Sequence, residues 1–159
     1  MTIEEGAKLP EATMHTMRDG RPTPVTTAEL FDGKKVVVFA VPGAFTPTCS
    51  QAHLPGYVLN ADAIRSKGVD DIVCISVNDA FVMGAWGDDR NADTITMVGD
   101  GNGDFTRALG LEMDGSGFGL GTRSQRYAMV VDDGVISSLA VEDPGQFEVS
   151  KAEAILEAL

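Results

Sequence analysis

Two apolar runs constrain this chain more than any other feature. "KKVVVFAV" spans Lys34 to Val41 and "DIVCISV" spans Asp71 to Val77. Both are rich in β-branched residues and lack the polar–apolar alternation of a half-exposed strand. Runs of this kind belong inside a parallel sheet that is covered on both faces. "TITMVG" reads as a third strand. The segments after these strands, "CSQAHLPGYVLNADAIRSKG", "NDAFVMGAWGDDR" and "GDFTRALGLEM", read as helices. Strands joined by helices imply a parallel core.

The C-terminal part changes the pattern. "RYAMVVDDGVISSLAVE" is a hairpin turned at "DDG", which adds antiparallel strands. "SKAEAILEAL" closes the chain as a helix, with Ser150 expected as its cap. Asn78 is the expected cap of the helix that follows the second strand, and Pro55 with Gly56 should kink the first helix, which ends near Gly68. "RDGRPTPVTTAEL" reads as irregular and "GSGFGLGTRSQ" as a glycine-rich loop. The expected class is α/β, a mixed central sheet flanked by helices in an αβα sandwich. A thioredoxin-like fold and a flavodoxin-like fold both satisfy that pattern.

The 159 residues are expected to form one domain, 1–159, and at 43% hydrophobic they suffice for a core. The formal net charge of −12 argues against nucleic acid and anionic membranes as partners. No apolar run approaches the ~20 residues of a membrane span. The N-terminus "MTIEEGAKLPE" lacks the basic start and apolar stretch of a secretory leader. Two cysteines are too few for a disulfide scaffold, so a reducing cytoplasm is the expected compartment.

One of those cysteines has a telling address. "PGAFTPTCS" (Pro42 to Ser50) leaves the C-terminal end of the first strand and enters a helix. Ligands of open α/β sheets bind at that edge. Either Thr46 caps this helix with Pro47 at its first position, or Thr48 caps it with Gln51 completing a capping box. Both registers put Cys49 in the first turn, where the helix dipole favours a thiolate. The dipole contributes only ~0.3–1 kcal/mol. Lowering a thiol pKa from ~8.5 to ~6 takes roughly 3.4 kcal/mol. A cation from elsewhere in the chain must supply the remainder.

Cys74 lies inside "DIVCISV", 25 positions after Cys49, and reads as inert packing. There is no Cys-X-X-Cys pair, and the two histidines do not cluster with the cysteines as zinc ligands would. His53 falls on the same helical face as Cys49, where it either packs the helix or polarises the site.

These residues carry a resemblance. "PGAFTPTCS" looks like the P-x-x-x-T-x-x-C active-site motif of peroxiredoxins. "VPGAFTPTCSQAHLPGY", "CISVNDAFVMGAW", "RYAMVVDDG" and "FEVSKAEAIL" are similar to the peroxiredoxin-five subfamily, which includes plant type II enzymes. The likeness runs from about Lys8 to Leu159. It implies a thioredoxin-like fold and a thiol-dependent peroxidase that reduces hydrogen peroxide and alkyl hydroperoxides through a Cys49 sulfenic acid. It matches Cys49 to the peroxidatic cysteine and Thr46 to the threonine that hydrogen-bonds thiolate and peroxide. It matches Pro42 to the proline that shields the sulfur, and Arg126 to the active-site arginine, with Arg123 as the nearest competitor. No metal, haem or flavin is implied.

Some relatives carry a resolving cysteine just before the last helix, but the matching stretch "EDPGQFEVSKAEAIL" has none. The expectation is a one-cysteine cycle regenerated by an external thiol. Glutathione, with or without glutaredoxin, is the first choice and thioredoxin the second. Phe45, Phe81, Trp86 and Phe118 either fill the core or, as the resemblance suggests, rim a homodimer interface with "GSGFGLG". The alternative function is a peroxide sensor or redox relay that passes oxidation from Cys49 to a partner protein.

Overall fold

The computed structural model describes residues 1–159. Seven strands form one mixed sheet in the order β2 (Arg21–Thr26), β1 (Thr13–Arg18), β5 (Thr96–Gly99), β4 (Asp71–Ser76), β3 (Lys35–Ala40), β8 (Tyr127–Asp132), β9 (Val135–Val141). β3 is an inner strand of that sheet, fifth in the order. β3 runs parallel to β4 (Asp71–Ser76) on one side and antiparallel to β8 (Tyr127–Asp132) on the other. β5 (Thr96–Gly99) continues the parallel part beside β4. The antiparallel β8 against β3 excludes an all-parallel flavodoxin-like sheet and leaves the thioredoxin-like alternative.

Side-chain alternation along β3 feeds two cores. Val37 and Phe39 point to a layer holding Tyr57 of α2 (Leu54–Arg65), Trp86 of α3 (Ala80–Asp89) and Ile155 of α5 (Ala152–Ala158). Val36, Val38 and Ala40 face the other layer, with Phe31 of α1 (Thr27–Phe31) and Phe105 of α4 (Asp104–Leu109). Val36 to Ala40 are fully buried. Each valine is worth ~1.5–3 kcal/mol of burial, so β3 is a firm base for the loop that leaves it.

The segment expected to be irregular is ordered. β1 (Thr13–Arg18) and β2 (Arg21–Thr26) form a hairpin that pairs through β1 with β5. Asp19 and Gly20, with φ of 52° and 76°, make its two-residue turn. Pro22 and Pro24 are tolerated because β2 is an edge strand. The glycine-rich stretch forms a loop as expected, but it joins a small hairpin of β6 (Glu112–Asp114) with β7 (Thr122–Ser124), and the helix expected over "GDFTRALGLEM" stops at Leu109, before β6. The expected hairpin of β8 with β9 (Val135–Val141) forms and turns at Asp133 and Gly134.

Two caps differ from expectation. Asp79, not Asn78, caps α3 by accepting the Val82 N–H. Ser150 does not cap α5, because its hydroxyl donates to Glu142 instead. The first helix is irregular before Pro55 rather than at it. A π-helical turn, Cys49–His53, precedes α2, and Leu54 N–H reaches back to the Cys49 carbonyl. Proline lacks the N–H for an ordinary helical bond and its ring crowds the preceding turn, which a wider turn relieves.

Candidate active site

The loop between β3 and the π-helical turn is held by three polar contacts. Thr46 donates its hydroxyl proton to the Gly43 carbonyl at 2.6 Å. Ala44 N–H donates to Asn78 Oδ1 at 3.0 Å, and Asn78 Oδ1 also accepts the Ser76 hydroxyl at 2.7 Å. Asn78 therefore ties the end of β4 to the loop, a role that its reading as a helix cap concealed. Between these anchors Phe45 sits at φ 66°, a left-handed conformation that costs a non-glycine residue ~1–3 kcal/mol.

Helical geometry begins at Pro47, and Ser50 N–H donates to the Thr46 carbonyl at 2.9 Å. This selects the register with Pro47 at the first helical position and discards the one with Thr48 as cap, since Thr48 is itself helical. Cys49 thus occupies the first turn and is 0% exposed. Ser50 accepts the Trp86 indole N–H at 2.9 Å, which pins the turn to α3.

Arg126 is the cation at the sulfur. One guanidinium nitrogen donates to Cys49 Sγ at 3.2 Å. The other lies 2.8 Å from His53 Nδ1. Arg123 bonds elsewhere, to the carbonyls of Leu120 at 2.8 Å and Pro42 at 3.4 Å. Arginine only donates, so His53 Nδ1 accepts and the ring proton sits on Nε2. From there it donates to the Ser150 carbonyl at 3.0 Å. Burial, and then the positive charge of Arg126, lower the His53 pKa to about 3. The imidazole is neutral at ordinary pH and acts as an acceptor that orients the guanidinium.

Thr46 makes its hydrogen bond to Gly43 and not to Cys49. Its proton is committed there, so its free lone pairs can accept a peroxide O–H. Pro42, Thr48 and Arg126 line a cavity of about 460 Å³ together with Phe118, Glu142 and residues 143–146. That volume suits a small organic molecule as well as hydrogen peroxide. Cys74 is also 0% exposed and free. Burial, and then the neighbouring Cys49, push its thiol well above the usual range.

A buried thiol that accepts from an arginine, itself lining a cavity, defines a thiol-dependent oxidoreductase site. The family pattern described as Redoxin matches residues 4–156. The chain is 53% identical over 165 residues to Peroxiredoxin-2E-2, chloroplastic, of Oryza sativa subsp. japonica, covering 99% of this chain and 73% of that one. It is 46% identical over 162 residues to the hybrid peroxiredoxin hyPrx5 of Haemophilus influenzae, covering 100% of this chain and 67% of that one. Its fold superposes with a TM-score of 0.96 on reduced Prx3 of Vibrio vulnificus in complex with hydrogen peroxide, at 58% identity and 99% coverage of both chains. The chain belongs to the redoxin family and, within it, to the peroxiredoxins of the plant type II and peroxiredoxin-five kind. Its fold is thioredoxin-like, and its activity is thiol-dependent reduction of peroxides.

Proposed function

We propose that Cys49 is the peroxidatic nucleophile of a one-cysteine cycle. The observation that carries this reading is the 3.2 Å contact between Arg126 and the Cys49 sulfur in the first turn of a helix. The Cys49 thiolate attacks one peroxide oxygen, the S–O bond forms and the O–O bond breaks. The departing hydroxide or alkoxide takes up a proton, and Cys49 is left as a sulfenic acid. Thr46 accepts the hydrogen bond of the bound peroxide. Arg126 stabilises the thiolate and the charge that develops on the leaving oxygen. Pro42 forms the wall that keeps bulk water from the sulfur. Hydrogen peroxide is the first substrate, in keeping with the Vibrio relative solved with it, and the cavity also admits alkyl hydroperoxides.

An external thiol then attacks the sulfenic sulfur, water leaves, and a mixed disulfide forms. A second thiol releases Cys49 and carries away the disulfide. Cys74 is a poor resolving group because it sits in mid-strand between β3 and β5. Glutathione, alone or with glutaredoxin, is the preferred donor, and thioredoxin is the second. A small thiol enters the cavity more readily than a folded partner. Phe45, Phe81 and Phe118 are 51%, 60% and 89% exposed. Their exposed aromatic surface supports a homodimer. Two free cysteines suit a reducing cytoplasm.

The experiment is intact mass spectrometry after one equivalent of peroxide, with and without glutathione. A sulfenic acid without the thiol and a glutathione adduct on Cys49 with it are expected. A Cys49–Cys74 disulfide formed without added thiol overturns the one-cysteine cycle. Oxidation that settles on a partner protein faster than on glutathione favours the relay instead.

A further inference from the structure

One buried carboxylate near the site takes no part in the peroxide chemistry. Glu142 follows β9 and is 7% exposed. Its backbone N–H donates to the Arg126 carbonyl at 2.9 Å, so the two residues face each other at the end of the β8–β9 ladder. Its side chain turns the other way along the chain. One oxygen, Oε2, accepts the Glu148 N–H at 2.8 Å, the Ser150 N–H at 2.8 Å and the Ser150 hydroxyl at 2.6 Å. Burial raises the pKa of this carboxyl, but the hydrogen bonds from Ser150 and Glu148 outweigh it and hold the group below its usual range. The carboxylate is therefore the neck of a loop, 142–150.

That loop reaches the catalytic arginine by two routes. The Ser150 carbonyl accepts from His53 Nε2 at 3.0 Å and from the Tyr57 hydroxyl at 2.7 Å. The first of these bonds fixes the tautomer that leaves Nδ1 free to accept from Arg126. The second route is Phe147, whose ring lies 5.8 Å from the Arg126 guanidinium and 5.0 Å from the His53 ring. Neither the serine carbonyl nor the phenylalanine is tethered by regular secondary structure. Both are placed by the loop that Glu142 closes.

We propose that Glu142 is a positioning residue of the peroxidase site: its carboxylate closes the 142–150 loop, the loop fixes the Ser150 carbonyl, and that carbonyl sets the His53 tautomer that aims Arg126 at Cys49. Without the clamp, His53 loses the acceptor for its Nε2 proton. The ring is then free to carry the proton on Nδ1, where it faces the Arg126 N–H and turns it away from the sulfur. The proposal rests on the roles given above to Cys49 and Arg126.

The test is a double-mutant cycle of Glu142→Gln and His53→Gln. The oxidation of Cys49 is followed in a single turnover by the fluorescence of Trp86, which is hydrogen-bonded to the next residue. Each single variant is expected to react with peroxide about tenfold more slowly, and the double variant no more slowly than the slower single one. Glu142→Asp, which keeps the charge with a shorter reach, is expected between wild type and Glu142→Gln, and without effect when His53 is already glutamine. It keeps the cycle measurable if the glutamine variant fails to fold. Losses that multiply in the double variant, or a folded Glu142→Gln within twofold of wild type, overturn the proposal. The same proteins are alkylated at Cys49 with iodoacetamide, which needs no peroxide chemistry, and the same non-additive pattern is expected. A wild-type protein inert to peroxide would instead overturn the role given to Cys49, while the alkylation series still decides on Glu142.

Discussion

Cys49 and Cys74 have the same exposure, 0%, and the same apolar core cluster around them. Burial therefore does not separate the reactive thiol from the inert one. Their immediate polar surroundings do. Cys49 lies where β3 has ended and a helix begins, so its sulfur meets an arginine N–H and the positive end of a helix. Cys74 lies in mid-strand, its backbone used by β3 and β5, and burial and the neighbouring Cys49 both hold its side chain in the neutral form. A charge at Cys74 would be stranded. A charge at Cys49 has a partner already in place. The reactive position is made by ending secondary structure beside a cation, at the cost of the left-handed Phe45 and a widened helical turn.

The comparison breaks most visibly by removing each sulfur in turn. Cys49→Ser is expected to lower peroxide turnover by at least about 1000-fold, since an alcohol is not ionised at neutral pH and does not attack peroxide. Cys74→Ala is expected to keep turnover within about threefold. Its cost falls on stability, about 1–2 kcal/mol for a small cavity in a packed strand. Steady-state peroxide consumption with a thiol donor and a urea titration of each variant decide it. Loss of turnover in a folded Cys74→Ala protein would remove the distinction between the two sites.

A smaller effect isolates the cation. Arg126→Ala leaves Cys49 buried in its helical turn but takes away the N–H at 3.2 Å. The second-order reaction with peroxide is expected to slow by about 100-fold, the scale for loss of one preorganised donor. Arg123→Ala is expected to do far less, because that side chain is spent on the Leu120 and Pro42 carbonyls. Equal losses in the two variants would show that general positive charge matters and not this contact.

The uneven legibility of the sequence has the same physical origin as the contrast between the cysteines. "KKVVVFAV" and "DIVCISV" announce central strands because burial on both faces is written in consecutive residues. The loop motif announces Cys49 because a strand end, a proline and a helix start are local too. The N-terminal hairpin was hidden because Pro22 and Pro24 are forbidden in most strands and allowed only at an edge, which a single sequence does not reveal. Asn78 and Ser150 stand in good capping positions, yet tertiary acceptors and donors claim both side chains. Glu142 offered no signal at all. Its partners are six and eight residues away on a loop whose path depends on the finished sheet.

The smallest effect concerns His53, another buried titratable group, which lies between the two kinds of environment. It touches the same arginine as Cys49, yet it is kept uncharged by burial, as Cys74 is. With a folded pKa of about 3, it does not protonate in the native state above that pH. In the unfolded chain it protonates near 6.5. Between those values the unfolded state binds one more proton than the native state, so stability rises with pH. The native protein is therefore fully favoured by this group above about pH 6.5 and progressively disfavoured as pH falls toward 3. From pH 8 to pH 5 the loss is about 2 kcal/mol, and most carboxylates stay ionised across that window. His53→Gln keeps a hydrogen-bonding side chain of similar size but has nothing to titrate. Unfolding free energies from denaturant titrations at pH 8 and pH 5 should thus fall by about 2 kcal/mol more for wild type than for the variant. Equal falls would mean that His53 takes up its proton in the folded protein. The sulfur would then have two neighbouring cations, and the contrast with Cys74 would no longer rest on Arg126 alone.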